Sequence, residues 1–421
     1  MSDKTLYDED SIQSLTPREH VLKRPSMYIG TTDNPTQLAI EILSNSVDEF
    51  NVGHGDTIIF SNKDNIITVQ DFAQAFPLAF KENGKSILEI AFGELNSSAK
   101  YDENGVYAGS GALGLHGQGA AISNFLSDWM VVSSIRDGKK ETIYFENGIF
   151  QKREIEDCLE HSGTTVRFLP NKNVFSSIEV NLKKLFTLCD DMTCLCEGLT
   201  IIFNDKKLYH KNGIIDLLEK QLNQTDVEIV SNRFITDQKI DSQRMSCAIT
   251  YVSNNKSVII PYVNSGITDV GPHITAIKTS LTRIFNKWAR EQGLLKEKDK
   301  NLDGTSLQEG LILVANIKAN GVEYQAQIKS TISKIDTSFI SSILSSQLEI
   351  WLDNNPSDGK AIVEKALVAR KAAEAAKKAR EAVKNKNSNK NNNKKKIMPA
   401  KLADCNSKNR AKCELYVTEG E

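Results

Sequence analysis

LAIEILSNSVDEF, residues 38–50, has the spacing of a helix with two different faces. Apolar side chains recur along it at steps of three and four residues: Ile40, Leu43, Val47 and Phe50. Polar side chains recur at the same steps on another face: Glu41, Asn45 and Asp48. A row of carboxylate, amide and carboxylate suits a water molecule, a divalent ion and a polar ligand. On spacing alone, a solvated helix face is the favoured interpretation, and the motifs that follow along the chain reverse that preference.

The composition is that of an ordinary globular protein. The 421 residues carry a net charge of −2, so a nucleic-acid role needs a local basic patch. This length predicts two or three domains with ample core. No apolar stretch is long enough to span a membrane, and the start, MSDKTLYDED, is not a signal peptide. We therefore expect a cytoplasmic protein.

Cysteine and histidine give no clear site. Of seven scattered cysteines, three cluster without the CxxC pairs of a zinc site: Cys189, Cys194 and Cys196. We interpret them as reduced packing or surface residues. Three histidines have no evident partner in the sequence and are assigned no role: His20, His161 and His210.

The flanking sequence predicts further helices and strands. Three residues form a helix start with a capping box: Thr16, Pro17 and Glu19. Pro25 and Gly30 should end that helix. TIIFS and NIITVQD, around a turn at 62–65, predict a strand pair that ends at Asp71. Further strands are predicted near 130–135, 141–147 and 164–169.

Residues 95–120 form a glycine-rich loop that runs into an apolar helical stretch near Ala120. Glycine lets backbone N–H groups approach a ligand closely, and a helix N-terminus favours an anion. A phosphate cradle is therefore favoured over a flexible linker. The GxxxxGK[ST] run of a P-loop is absent, and so is the strand-then-GxGxxG context of a Rossmann unit.

A second α/β unit is predicted from about 245 to 355, after a weakly patterned region at 215–240. Its strands are expected near 246–252, 256–262 and 310–318, and its helices at about 273–292 and 339–352. The connection EYQAQIKSTISK carries Gln327 and Lys329, for which plain solvent exposure is the alternative. A long helix at 357–385 leads into NKNSNKNNNKKK, a basic low-complexity linker whose lysines either contact DNA phosphates or are solvated.

The motifs together resemble one family. VLKRPSMYIG, EILSNSVDEF, GLHGQGAAISNFLS, GTTVRF, QIK and KLADC…ELYVTEG occur in the order seen in type IIA DNA topoisomerases. The chain is similar to the N-terminal half of the gyrase B or topoisomerase IV B protein. Within the wider GHKL ATPase group, KRPxMYIG and the end motif separate it from MutL, heat-shock chaperones and histidine kinases.

The resemblance implies an α+β fold: a Bergerat-type (GHKL) ATPase sandwich followed by a ribosomal-S5-like α/β transducer domain. The implied segments are an N-terminal dimerisation arm at 1–15, the ATPase domain at 16–225, the transducer at 226–385, a Lys/Asn-rich linker at 386–398 and the start of a Toprim domain at 399–421. The chain ends short of the Toprim DxD carboxylates. We therefore expect that it does not cleave DNA by itself.

The resemblance also implies roles for individual residues, with ATP and Mg²⁺ as cofactors. Glu41 is implied as the general base, Asn45 as the Mg²⁺ ligand and Asp71, backed by Thr164, as the adenine-binding carboxylate. Lys329 and Gln327 are implied as catalytic transducer residues. Further ATP-binding residues are implied: Tyr7, Asp48, Glu49, Tyr107, Gly114, Leu115, His116, Gly117 and Gly119. Glu419 is implied as a Toprim metal ligand in a completed domain.

Implied partners are double-stranded DNA, a second copy of the chain and a cleavage (A-type) subunit. ATP would dimerise two chains through the arm, in which Tyr7 and Ile12 are isolated non-polar residues. A separate remainder of the gyrase B-type protein is a further expected partner if the gene is split.

One run departs from the family. Where the family has DxGRG, this chain has Asp71 followed by Phe72, Ala73, Gln74 and Ala75. The lost arginine leaves Arg136 as the expected cationic partner of Glu49. Two functions stay open: an ATP-hydrolysing clamp, favoured because Glu41, Asn45 and Lys329 are intact, and a non-hydrolysing or weakly hydrolysing clamp, favoured by the altered run.

Overall fold

The helix expected at 38–50 is present and packs against a large mixed sheet. The computed structural model describes residues 15–97, 117–224, 227–325 and 330–392, the last ten as backbone only. We call residues 15–224 the first part of the chain and residues from 227 onward the second part. The first part contains seven described helices: α1 (Pro17–Lys23), α2 (Ser26–Ile29), α3 (Thr36–Asn51), α4 (Ile87–Gly93), α5 (Gly119–Phe125), α6 (Leu182–Leu195) and α7 (Ile214–Asn223). The capping box of Thr16 and Glu19 at the start of α1 is confirmed.

Eight strands of the first part form one sheet. They are β1 (Thr57–Lys63), β2 (Ile66–Asp71), β3 (Ser127–Arg136), β4 (Lys139–Glu146), β5 (Ile149–Asp157), β6 (Gly163–Pro170), β7 (Thr200–Phe203) and β8 (Lys206–Leu208). Their order in the sheet is β5-β4-β3-β6-β2-β1-β7-β8. The neighbours are antiparallel except β1 and β7.

The β1–β2 hairpin shows how sequence fixes the position of Asp71. Asp64 and Asn65 adopt positive φ angles of 52° and 62°, which these residues tolerate and which suit a two-residue hairpin turn. Alternate residues of each strand are buried, and the register pairs Ile58 with Asp71. Asp71 is therefore an inward-facing residue at the end of its strand.

The second part builds its own sheet. Its elements are β9 (Phe234–Ile240), β10 (Gln243–Tyr251), β11 (Val258–Val263), β12 (Gly266–Ile267), α8 (Pro272–Glu291), α9 (Gly304–Gln308), β13 (Leu311–Lys318), β14 (Glu323–Tyr324), β15 (Ile332–Lys334), α10 (Ser338–Asn354) and α11 (Pro356–Asn392). Five strands form a sheet in the order β12-β11-β13-β10-β9, and β14 pairs with β15. Helices α8 and α10 pack together.

The hydrophobic core of the first part lies between the eight-stranded sheet and its helices. Leu38, Leu43 and Val47 of α3 are buried there with Phe60 of β1 and Phe168 of β6. Helix α7 belongs to a second cluster, in which its leucines pack beside the end of α6 and against the five-stranded sheet. Residues up to Ala366 form one compact unit, and those from Leu367 belong to a second.

Most predicted elements are confirmed, but the region at 215–240 is better ordered than its pattern indicated. It contains most of α7 and the whole of β9. Strand β5 was not predicted. Within the described ranges, no helix is both long and apolar enough to cross a membrane.

Candidate active site

Helix α3 supplies the first side chains of the site. Glu41 and Asp48 are 8% and 1% exposed, and Asn45 between them is half-buried. Charged side chains are rarely buried without a structural or functional reason. The alternative of a solvated helix face is therefore wrong for both carboxylates.

The Glu41 carboxylate is held from two sides. The Gln37 side-chain amide, one turn earlier on α3, donates to Oε1 at 2.8 Å. On the other side lies Gly119, the first residue of α5, where a Cβ atom would come within 2.4 Å of Oε2. Gly119 is thus a glycine because the start of α5 lies directly against this carboxylate. Helix α5 begins one residue before Ala120, as the sequence indicated.

Asp71 is the second buried carboxylate, at the end of β2. It accepts hydrogen bonds from the Ser46 hydroxyl at 2.8 Å, the Thr164 backbone N–H at 3.1 Å and the Ala73 backbone N–H at 3.2 Å. Burial raises the pKa of Asp71, and the three donors act in the opposite direction. Thr164 thus contacts Asp71 through its backbone N–H, and its role in ATP binding stays a prediction.

The chain after Asp71 is closely packed and has one unusual conformation. Ala75 has a φ of +62°, in the left-handed region that glycine occupies most easily. A Cβ atom at Gly163 would lie 2.2 Å from the Asp71 carbonyl oxygen, and one at Gly55 would lie 2.9 Å from that of Phe72. The neighbouring strands and loops thus leave this backbone little room to move.

Arg136, at the end of β3, reaches the same run. Its Nη1 donates to the Ala75 carbonyl at 3.3 Å, and its Nε lies 3.5 Å from the Asp137 carboxylate. The proposed ion pair between Arg136 and Glu49 stays a prediction.

The second sheet approaches the far end of α3. The Lys318 Nζ, on β13, donates to the Asn51 side-chain oxygen at 2.8 Å. Burial and the nearby Asp48 carboxylate raise the pKa of Tyr324 on β14. Tyr324 of β14 therefore lies close to the polar face of α3.

Several predicted site residues lie outside the described residues. They are Tyr7, Tyr107, Gly114, Leu115, His116, Gln327, Lys329 and Glu419, together with Ile12 of the arm. Of the expected loop glycines, Gly117 has a φ of +58° and Gly119 packs on Glu41.

The cysteine cluster is a packing feature. Cys189, Cys194 and Cys196 are free and buried, and burial raises the pKa of the Cys189 thiol to about 12. Such thiols are unreactive. In the described parts of the chain, no group of three His, Cys, Asp or Glu side chains has an arrangement that would hold a metal ion. His20 and His210 have partners after all, in Tyr28 and Asp190, both at 2.7–2.8 Å.

Sequence reasoning missed Ser46, Ser134 and Lys318 as site neighbours. Ser46 lies within the quoted motif, so its position directly after Asn45 was a usable signal. Ser134 and Lys318 contact residues 58 and 267 positions away. No local sequence pattern indicates contacts between residues so far apart in the chain.

The buried Asp71 carboxylate predicts a pH-dependent stability difference. Because its pKa is raised in the folded protein, its contribution favours folding at pH below the ordinary aspartate value of about 3.9 and is lost as the pH rises through the folded value. At neutral pH the buried charge therefore destabilises the fold. We expect Asp71→Asn to unfold at a higher temperature than the parent at pH 7.5, with the gap narrowing towards pH 4.

Thermal unfolding followed from pH 4 to pH 8 measures this gap. Asp56→Asn is a matched control, because Asp56 is exposed and its carboxylate accepts a bond from the neighbouring Thr57 hydroxyl. A variant less stable than the parent at pH 7.5 would contradict the expectation.

Known proteins resemble this chain over nearly its whole length. The sequence profile of DNA gyrase B matches residues 204–382. The topoisomerase 4 B protein of Bacillus subtilis (strain 168) is 36% identical over 430 residues, which is 99% of this chain and 65% of that protein. The DNA gyrase B protein of Clostridium acetobutylicum is 33% identical over 436 residues, which is 100% of this chain and 67% of that protein.

Solved structures share the fold. The 43K ATPase domain of Thermus thermophilus gyrase B, in complex with an aminocoumarin, is 27% identical with a TM-score of 0.69, covering 87% of this chain and 98% of that one. The topoisomerase IV ATP-binding domain of Francisella tularensis, in complex with a small-molecule inhibitor, is 27% identical with a TM-score of 0.69, covering 84% of this chain and 97% of that one.

Proposed function

This chain belongs to the gyrase B and topoisomerase IV B family of type IIA DNA topoisomerases, and we propose that it is the ATP-operated clamp of such an enzyme. In this proposal ATP binding dimerises two chains around a DNA duplex, and hydrolysis resets the clamp. The chain spans 65% of the first relative's length. In this proposal the complete topoisomerase reaction also requires the part of that protein to which this chain does not correspond.

The observation that carries the proposal is the pair of buried carboxylates, Glu41 and Asp71, both anchored to α3. Three donors orient the Asp71 carboxylate, and a carboxylate has about four acceptor positions, which suits recognition of an adenine amino group. Glu41 is oriented by Gln37 beside the start of α5, which suits a general base that takes a proton from water. Two carboxylates with different surroundings can serve two different roles.

The described residues fit Mg²⁺ when ATP is bound as well, because the phosphates would supply part of the ion's ligands. They contain no protein cage for a metal ion, and Mg²⁺ commonly takes one or two protein ligands together with substrate phosphates and water. Asn45, one turn after Glu41, would hold the ion. Bound Mg²⁺ neutralises charge on the phosphates. Gly119 lets the start of α5 come close to the same place.

The chain's own residues divide the remaining work. Hydrolysis of a phosphoanhydride needs mainly positioning and charge neutralisation. Glu41 accepts the proton of the attacking water, and Asn45 and Asp48 complete the polar face of α3. Lys329 is proposed to supply a positive charge from the second part of the chain, with Gln327 beside it. The remaining proposed ATP contacts come from Glu49, Tyr107, the loop at 114–119 and, from the partner copy, Tyr7.

Contacts between the two parts support coupling of nucleotide binding to movement. Lys318 bonds to Asn51 at the end of α3, and Tyr324 lies near Asp48. A movement of the polar face of α3 would thus displace the contacts that β13 and β14 make with it. We propose that residues 16–225 act as the ATPase domain and 226–385 as the transducer, as the two separate sheets suggest.

A basic groove supports duplex DNA as a partner. It is open, has a volume of about 640 Å³ and is lined by α8 and the chain after it. Its cations are Lys278, Arg283, Lys287 and Arg290. Lys287 is paired with Glu349, and Arg290 donates to the carbonyl oxygens of Lys296 and Asp299. Lysine and arginine in such a groove suit backbone phosphates, which any duplex sequence provides.

The proposal further assigns an A-type cleavage subunit and, if the gene is split, a separate remainder of the gyrase B-type protein as partners. The place of action is then the nucleoid in the cytoplasm, or the host cytoplasm if the gene is viral. The non-hydrolysing clamp remains the alternative outcome of the tests, and the buried, oriented Glu41 argues against it.

Nucleotide-dependent dimerisation tests the proposed function directly. We expect the full chain to sediment as a monomer alone and as a dimer with Mg²⁺ and a non-hydrolysable ATP analogue. Removing residues 1–15 should abolish the dimer, because Tyr7 and Ile12 then no longer bury apolar surface on the partner. ADP serves as the nucleotide control. Dimers that form regardless of nucleotide and arm would refute the clamp.

A further inference from the structure

We propose that Ser134 and Arg136 on β3 are positioning residues that hold the segment 72–77 in the conformation needed for nucleotide binding. The proposal rests on the proposed function, because segment 72–77 follows the carboxylate of Asp71. It assigns a specific task to two residues that contact the run expected, from the family resemblance, to read DxGRG.

The segment contains a conformation that needs support. Ala75 has a φ of +62°, and an alanine there is less stable than a glycine because its Cβ crowds the backbone. Non-glycine residues persist in this region when their surroundings fix them. Ala75 is half-buried, so packing as well as hydrogen bonding acts on it.

Three hydrogen bonds from β3 fix the backbone at this point. The Phe76 backbone N–H donates to Ser134 Oγ at 3.0 Å, and the Ser134 hydroxyl donates to the Phe76 carbonyl at 3.3 Å. The Arg136 Nη1 donates to the Ala75 carbonyl at 3.3 Å. The two peptide groups that flank Phe76, those of the 75–76 and 76–77 links, are therefore tied to one strand.

The geometry of the sheet makes this arrangement possible. Ser134 and Arg136 are two residues apart on β3, so their side chains leave the sheet on the same face. Ser134 is 3% exposed, and among the described residues its hydroxyl bonds only to Phe76 of the segment. In register, Ser134 lies opposite Thr164, whose N–H donates to Asp71. Ser134, which supports the backbone at Ala75, thus lies beside Thr164, which donates to the Asp71 carboxylate.

Loss of this support should act on the nucleotide site. The Ala73 N–H that donates to Asp71 lies only two residues before Ala75. If segment 72–77 relaxes towards negative φ at Ala75, this N–H moves and the carboxylate loses one of its three donors. Ser134 and Arg136 touch neither the reacting atoms nor Glu41, so the effect should fall on ATP affinity and not on turnover.

The test is a double-mutant cycle read by steady-state ATPase kinetics. Ser134→Ala should raise the KM for ATP about five- to tenfold, the size expected for one or two lost hydrogen bonds, with kcat within twofold. In an Ala75→Gly background the same change should raise KM less than about twofold, because glycine adopts this φ without support. Arg136→Ala should follow the same pattern. Ser133→Ala is the matched control, since Ser133 contacts Thr142 on the other face of β3.

A second cycle, on the free energy of unfolding without nucleotide, tests the support itself. Ser134→Ala should destabilise the parent more than it destabilises Ala75→Gly. Equal effects in both backgrounds, or a lower kcat at unchanged KM, would overturn the proposal. If calorimetry shows that the parent binds no ATP analogue, the proposed function fails and the ATP-directed role of Ser134 fails with it. The unfolding cycle still decides in that case whether Ser134 holds Ala75.

Discussion

Replacing Glu41 with alanine is expected to lower ATP turnover by about 10²- to 10⁴-fold and to leave the affinity for a non-hydrolysable ATP analogue within a few-fold. The expectation follows from the position of the carboxylate. It is buried, receives a hydrogen bond from Gln37 and lies against the start of α5, an oriented position that suits a general base.

The fold should survive this substitution, because α3 keeps its apolar contacts and loses a buried charge. Circular dichroism and thermal unfolding of the variant would show that lost turnover is not lost structure. Glu179→Ala is the matched control, since Glu179 is an exposed glutamate outside the site. Turnover of Glu41→Ala within a few-fold of the parent would remove Glu41 from the role of general base. A comparable loss of analogue binding would instead make it a binding residue.

Helix α3 shows what periodicity can and cannot predict. Its existence and its polar face followed from residue spacing. The prediction of which apolar residues are buried was only partly right. Ile40 and Phe50, which it included, are only half-buried. Leu38, Ala39 and Ile42, which it left out, are fully buried. The helix packs against β1 and β2 and also against α5 and α6, so more than one face is covered. A single-stripe argument assumes one covered face.

Strand β5 was missed for a related reason. Its sequence, IFQKREIED, has little apolar alternation, and most of its residues are exposed at the edge of the sheet. Pairing with β4 along Lys139–Glu146 specifies the strand through backbone hydrogen bonds. Such tertiary pairing can override weak local propensity.

In the candidate site, too, some residues could be predicted from the sequence and others could not. Glu41, Asn45, Asp48 and Asp71 were singled out by spacing and by resemblance. Their supports came from long range: Ser46 reaches Asp71 from another element, and Gly163 is required because β6 crosses the Asp71 carbonyl. A donor 58 residues away, such as Ser134, becomes visible only when β3 and the run after β2 lie side by side.

Restoring the family run is expected to tighten ATP binding about 10- to 100-fold, which is about 1.4 to 2.8 kcal/mol for the three changes taken together, because substitutions at neighbouring positions do not simply add. The variant is the triple substitution Ala73→Gly, Gln74→Arg and Ala75→Gly. Arginine would return a planar cation to a segment that now has a neutral amide. Calorimetric titration of parent and variant with a non-hydrolysable ATP analogue measures the difference, and turnover should rise with affinity at limiting ATP.

The structure indicates which of the three changes matters most. Ala75 alone of this run has a positive φ, which costs an alanine about 1 kcal/mol or more, so Ala75→Gly by itself should give about a fivefold gain. Ala73 is 4% exposed and has no such angle, so Ala73→Gly removes a buried methyl group and gains little. Ala79→Gly, at an exposed alanine in the same loop, controls for the added flexibility of glycine. If the triple variant binds the analogue no better than the parent, the bonds from Ser134 and Arg136 already hold the run in its active conformation, and the departure from the family is a tolerated variant of a working ATPase.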